Sequence, residues 1–304
     1  MNQHDNNLDI RQLCCRLLKS NKVNIHRHEF YEVVNYGVTL DPARCVFQSD
    51  SVPLDECYLA AQLVWYLRGQ PFDTTLLESF PGVWSRMKWV RGTVDNNSNY
   101  GRYIFQDLYQ CKSQFYHCLN LLEEDPTTRQ AIIVINSPDV HWSDTSDHIC
   151  TTSFQFLIRD GRLHMITTMR SNELLFNFRT DVHFFTFLQQ FMLVFLKPKH
   201  VGLTLGDYHH NVGSMHVKAE DADKVDLLEH DVCSAGWGPL QDRHEANWLM
   251  HRLPAIELVM RQNHRSRPSL TAREMANKPE NLIPNSYVFS NTVVHLLKKL
   301  IEHE

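Results

Sequence analysis

The sequence predicts an α+β fold: a mixed β-sheet packed with helices around one long buried helix. Three observations predict it. Helix-like and strand-like segments are interleaved without the regular alternation of a parallel α/β chain. Residues 153–158 and 163–168 are β-rich runs flanking Arg159-Asp160-Gly161-Arg162, and Asp-Gly between such runs is a strong hairpin signal. The most apolar stretch, residues 182–196, is interrupted by Gln189 and Gln190 and is shorter than the ~20 residues of a membrane span, so it reads as a buried helix.

Taken in order, residues 1–20 are expected to be a mobile N-terminal tail, because the first dozen are polar. Residues 21–304 are expected to form a single domain, with 235–304 offering few patterns to read. A chain of 304 residues that is 43% hydrophobic and 21% charged buries a large core without staples. Residues 53–69 read as a helix through Leu59, Leu63, Val64, Tyr66 and Leu67, with Gly69 at the C-terminal cap. Residues 95–99 are a loop by composition. A helical period runs over 107–124 through Leu108, Cys111, Phe115, Cys118, Leu119 and Leu122, and Pro126 stops it. The apolar run 131–135 reads as a strand buried on both faces. After the hairpin, Thr180 or Asp181 caps the long helix, which ends near Pro198, and 290–304 reads as an amphipathic helix.

A net charge of −5 argues against a nucleic-acid partner. The eight cysteines form no C-x-x-C pair and the opening residues are polar, so a cytoplasmic protein with free thiols is expected. His141, Asp144, Asp147, His148 and Cys150 crowd together and His209-His210 follow, yet no pair has C-x-x-C or H-E-x-x-H spacing. No metal is therefore expected, and no membrane partner.

Chemistry concentrates at Cys150. A lone cysteine is commonly a small core residue. A cysteine at a loop-to-strand junction becomes a nucleophile where cations lower its pKa. What singles out Cys150 is the text after it: Gln155-Phe156, the Asp-Gly hairpin, Arg170-Ser171, Glu173, Asp181, then Gly206-Asp207-Tyr208-His209. With residues 63–69, Trp84, Tyr100-Gly101 and residues 125–129, this order resembles the thymidylate synthase family over roughly residues 35 to 220.

The resemblance implies a catalytic domain in which the Cys150 thiolate adds to C6 of a pyrimidine nucleoside monophosphate. C5 then attacks a one-carbon unit carried by 5,10-methylenetetrahydrofolate. It implies that Arg170 and Ser171 grip phosphate, that Arg129 reaches the partner's site in a homodimer, and that Gln155, Tyr100, His209 and Asn211 contact the nucleotide. Glu173 and Trp84 correspond to folate-site residues. Asp181 stands where uracil-processing members carry asparagine. A protonated carboxyl there matches the donor–acceptor edge of cytosine, and members with aspartate here are deoxycytidylate or cytidylate hydroxymethylases. The plainer reading of Asp181 is a helix N-cap. Several positions depart from the family. Gln62 replaces the catalytic glutamate, Gln130 replaces a second phosphate arginine, Asn211 replaces a tyrosine, and Ile149 and Thr151 replace the residues beside the cysteine. The implied reaction is folate-dependent C5 hydroxymethylation of CMP or dCMP. The alternatives are C5 methylation and a relative that binds nucleotide without turnover.

Overall fold

Alternating side chains on four consecutive strands create one covered and one half-exposed sheet face, and this division positions most of the candidate residues. The computed structural model describes residues 5–25, 27–70, 80, 97–106, 113–142, 147–255, 257 and 299. It divides into two compact units. One comprises Met1–Leu54, Gln114–Ser143 and Ile149–Gly236, and the other Asp55–Ser113, Asp144–His148 and Trp237–Glu304. The architecture is α+β.

The first unit carries β1 (Lys22–Ile25), β2 (His28–Leu40), β3 (Val46–Gln48), β4 (Ile132–Val134), β5 (Thr151–Arg159), β6 (Arg162–Glu173), β7 (Thr204–Lys218) and β8 (Cys233–Ala235). Six form one sheet in the order β1-β2-β7-β6-β5-β4, and β3 pairs with β8. Among the described strands, only β6 and β7 run parallel. The hairpin β5–β6 turns through Asp160 at φ 50° and Gly161 at φ 69°. Both lie in the left-handed region that a two-residue turn of this hand requires, which explains the Asp-Gly pair.

Helix α6 (Arg179–Leu196) lies under the sheet and is buried at every residue except Gln190. α numbering runs α1 (Asn6–Leu18), α2 (Glu56–Arg68), α3 (Tyr100–Phe105), α4 (Gln114–Glu124), α5 (Pro138–His141), α6, α7 (Ala222–Asp231) and α8 (Arg243–His251). Phe154 meets Phe185 edge-on at 4.8 Å, and Phe115 packs against Phe195 at 5.5 Å. Each such buried ring contributes about 1.5–3 kcal/mol through apolar area alone.

Three expectations change. Residues 6–18, expected to lie in a mobile tail, form α1, which is capped by Asp5 and buries Ile10, Leu13, Cys14 and Leu17; residues 1–4 lie outside the described residues. Leucine and isoleucine at helical spacing outweigh the polar opening. The run 131–135 is an edge strand rather than one buried on both faces: Ile133 is buried, whereas Ile132 and Val134 are 40% and 44% exposed. An apolar run this short carries no information about how many faces are covered. The long helix has no side-chain cap from Thr180 or Asp181. Glu173 instead caps a π-helical turn, Leu174–Phe178, that feeds into it.

A kink crosses the sheet at one row. Buried positions shift register between Met169 and Asn172 on β6 and between Val212 and Met215 on β7. Asn35 in the middle of β2 takes φ 54°, and a Cβ on Gly213 would lie 2.8 Å from the Arg170 carbonyl. Gly213 is therefore required where Arg170 emerges, and asparagine is one of the few side chains that take the left-handed conformation found at position 35.

The second unit is helical among its described residues. α2 is capped by Asp55 and closed by Gly69 at φ 59°, as expected, and buries Tyr58 through Leu67. Gly101 of α3 admits no Cβ, which would collide with the Tyr66 carbonyl at 1.6 Å. Arg68 pairs with Glu257. The helix expected over 107–124 is observed as α4; residues 107–112 and the expected helix at 290–304 lie outside the described residues, save Lys299. No described helix is long and apolar enough to cross a membrane.

Candidate active site

Cys150 immediately precedes β5 and is half-buried. Its backbone is clamped from β6. The Arg170 N–H donates to the Cys150 carbonyl at 2.8 Å, and Arg170 Nε donates to the Ile149 carbonyl at 2.9 Å. One backbone bond and one bond from the guanidinium Nε thus tie Arg170 to residues 149 and 150. A bulge follows at once, since Thr151 pairs with Met169 but Ser153 with Thr168. A bulge bends the strand and re-aims the residues before it. The other buried thiols contrast with this setting. Burial pushes Cys14 and Cys118 up to about 12, leaving them protonated and inert.

Arg170, Gln155, His209 and Asn211 lie on the less buried face of the sheet. Gln155 Nε2 donates to the Arg129 carbonyl at 2.9 Å, fixing the loop that carries the exposed Arg129 beside β5. His209 Nδ1 is 3.0 Å from Thr39 Oγ1 across the β2–β7 ladder. Ser171 is half-buried and sits in register with Ser214.

Asp181 lies in the first turn of α6 and is 8% exposed. Burial pushes its carboxyl up to about 8, with an opposing hydrogen bond from the Asn172 side chain. Burial thus favours the neutral acid. It is not a cap. Asn172 also reaches His210 Nε2 at 3.3 Å, whose Nδ1 is 2.7 Å from the Tyr208 hydroxyl. Burial lowers His210 to about 3, so the ring is neutral. Asn172, His210 and Tyr208 thus form a buried polar chain behind Asp181. Sequence reasoning missed it, although the strand alternation from His209 to His210 was a usable signal.

Glu173 is half-buried, and its carboxylate accepts from the N–H groups of Leu175, Phe176 and Asn177 at 2.8, 2.9 and 3.4 Å. Those bonds anchor it but occupy most of its acceptor sites. In the second unit, Gln62 is buried and its amide contacts the Tyr66 hydroxyl at 3.5 Å. Its Oε1 has no partner among the described residues. Tyr100 is buried and stacks on Tyr66, with centroids 5.5 Å apart. Trp84 and Asp144 lie outside the described residues. Asp147, considered above as a metal ligand, accepts from Ser98 N and Oγ at 2.8 and 2.6 Å.

The family model described as thymidylate synthase matches residues 56–278. The chain belongs to the thymidylate synthase family. It is 32% identical over 133 residues to deoxycytidylate 5-hydroxymethyltransferase of Enterobacteria phage T4, covering 42% of this chain and 52% of that protein. It is 30% identical over 132 residues to deoxyuridylate hydroxymethyltransferase of Bacillus phage SP01, covering 41% and 31%. It is 22% identical over 169 residues to thymidylate synthase 1 of Bacillus spizizenii, covering 55% and 58%. The chain thus spans about half the length of the curated relatives it matches first.

Proposed function

We propose that this thymidylate synthase family member hydroxymethylates C5 of a cytosine nucleotide, CMP or dCMP, in the cytoplasm. The observation that carries the reading is the burial of Asp181, which pushes its carboxyl up to about 8 and favours the neutral acid. In that form it offers one donor to N3 and one acceptor to the 4-amino group. A carboxylate would set an acceptor against N3, at a cost of about 1–3 kcal/mol.

Cys150 adds its thiolate to C6, which makes C5 nucleophilic and splits one hard step into two. Arg170 stabilises the thiolate and, with Arg129 and Ser171, holds the 5′-phosphate. Gln155, Tyr100, His209 and Asn211 hold the base and sugar. Gln62 orients water but relays no proton, since an amide lacks the carboxylate's acid–base capacity. The co-substrate 5,10-methylenetetrahydrofolate supplies the carbon and departs as tetrahydrofolate. Water then completes the hydroxymethyl group, C5 having lost its proton, and the thiolate leaves C6. Glu173 and Trp84 would hold the folate. The capped carboxylate of Glu173 keeps limited capacity for it, which suits a single hydrogen bond. The reading includes a homodimer and a single functional domain. The exposed Arg129 and the exposed apolar residues Val34, Ile132 and Val134 are compatible with a second copy.

The test is C5-tritium release from UMP, dUMP, CMP and dCMP. Cytosine nucleotides should lead, and Asp181→Asn should move preference toward uracil; an unchanged ranking defeats the base-recognition argument. Gln62 in place of glutamate favours a second reading, a binder without turnover. A 5-fluorocytosine nucleotide plus methylenetetrahydrofolate separates the two, because only an active enzyme gains the adduct mass at Cys150. Methylation is distinguished by release of dihydrofolate instead of tetrahydrofolate.

A further inference from the structure

The hydrogen-bonding pattern near the N-terminal ends of β6 and β7 gathers three ligand-bearing side chains that sequence spacing kept apart. Leu163 pairs with Leu205 but Met165 with Tyr208, so β7 carries one extra residue in a bulge at Gly206-Asp207. Gly206 is required there, because a Cβ would lie 2.7 Å from the Leu163 carbonyl. Gln189 of α6 pins the bulge from beneath, donating to the carbonyls of Leu163, Gly206 and Asp207 at 2.9, 3.3 and 3.3 Å. His164, Asp207 and His209 consequently share the half-exposed face. Each offers one ligand atom, and these atoms all lie within 4.8 Å of one another.

We propose that His164, Asp207 and His209 form a binding site for a divalent transition-metal ion. Two imidazoles and one carboxylate are the donor set of borderline ions such as Zn²⁺, Co²⁺ and Ni²⁺, rather than of Mg²⁺ or Ca²⁺. Outer contacts orient the set, as metal sites require. Arg162 Nη2 holds Asp207 Oδ1 at 2.7 Å, while Oδ2 lies 3.6 Å from His164 Nδ1. The Asp207 N–H donates to the same nitrogen at 3.1 Å, and Thr39 Oγ1 fixes His209. The Arg162 charge opposes a cation and caps the affinity. The site does not depend on the substrate reading, although its occupant and a nucleotide sugar at His209 would exclude one another.

The experiment is a Co²⁺ titration of the full chain without nucleotide, followed by calorimetry and visible absorption. One equivalent is expected, with weak d–d bands and without the near-ultraviolet charge transfer of a cobalt–thiolate bond. His164→Gln and Asp207→Asn should each weaken binding at least about tenfold, with unchanged circular dichroism showing that both remain folded. His164→Gln keeps a polar group on an exposed face, so one of the pair should survive as a folded test. No binding by the wild type, a thiolate band, or equal affinity in a folded variant would overturn the site.

Discussion

His209 and His210 are adjacent in sequence and lie on opposite faces of β7. His209 is half-exposed, meets Thr39 and stands between two candidate ligand sets. His210 is fully buried, stacks near Phe185, and is lowered to about 3 by desolvation. The same side chain is open to a ligand on one face and is a neutral core residue on the other. The contrast extends along the sheet. Phe154 and Gln155, or Met169 and Arg170, divide packing from chemistry in the same way. The face a residue occupies, more than its type, determines what it does.

That division can be tested by substitution. The largest effect should come at the junction of the faces, where Cys150→Ala should reduce C5-tritium release on the order of 10⁴-fold or more and abolish adduct capture, as loss of a nucleophile does elsewhere. Next, Phe154→Ala on the covered face should cost about 3–5 kcal/mol in urea unfolding. Gln155→Ala beside it should cost about 1 kcal/mol, the worth of its bond to Arg129. Equal costs would erase the distinction between the faces. Asp181→Asn should shift the CMP-to-UMP activity ratio by tenfold or more. It should also remove an activity limb: the wild type loses its protonated Asp181, and with it turnover, as pH rises through about 8.

A smaller effect comes from linkage at His210. Its folded pKa lies below the unfolded 6.5, so its share of stability is present above pH 6.5 and is lost as pH falls toward about 3. Denaturant unfolding across that window should show a slope that His210→Gln flattens. The smallest effect is competitive. CMP at about three times its Kd should weaken apparent Co²⁺ binding a few-fold through shared use of His209, measured by repeating the titration with nucleotide present.

Much of this was legible in the chain itself. The Asp-Gly hairpin, α2 with Gly69 and the long helix each declare themselves through local chemistry, because turn geometry and helical caps depend on a few neighbouring residues. Cys150, Arg170 and Asp181 were singled out as candidates by ordered motifs. Their settings were not. The double clamp of Arg170 on residues 149 and 150 needs the β5–β6 register, and the elevated pKa of Asp181 needs the burial of α6. The edge position of β4 and the packed helix α1 escaped for a related reason. Whether an apolar run is covered depends on what lies above and below it.

By itself, then, the order of residues determined the secondary elements with strong local signals and the family, and it named the candidates for nucleophile and arginine. Only the tertiary structure decided which face each side chain serves and that Asn172, His210 and Tyr208 stand behind Asp181. It alone brought His164 within ligand distance of Asp207 and His209. The physical reason is that burial, charge and metal coordination act through space. Strand register and bulges convert separations along the chain into neighbours, and a one-residue bulge suffices to change which neighbours those are.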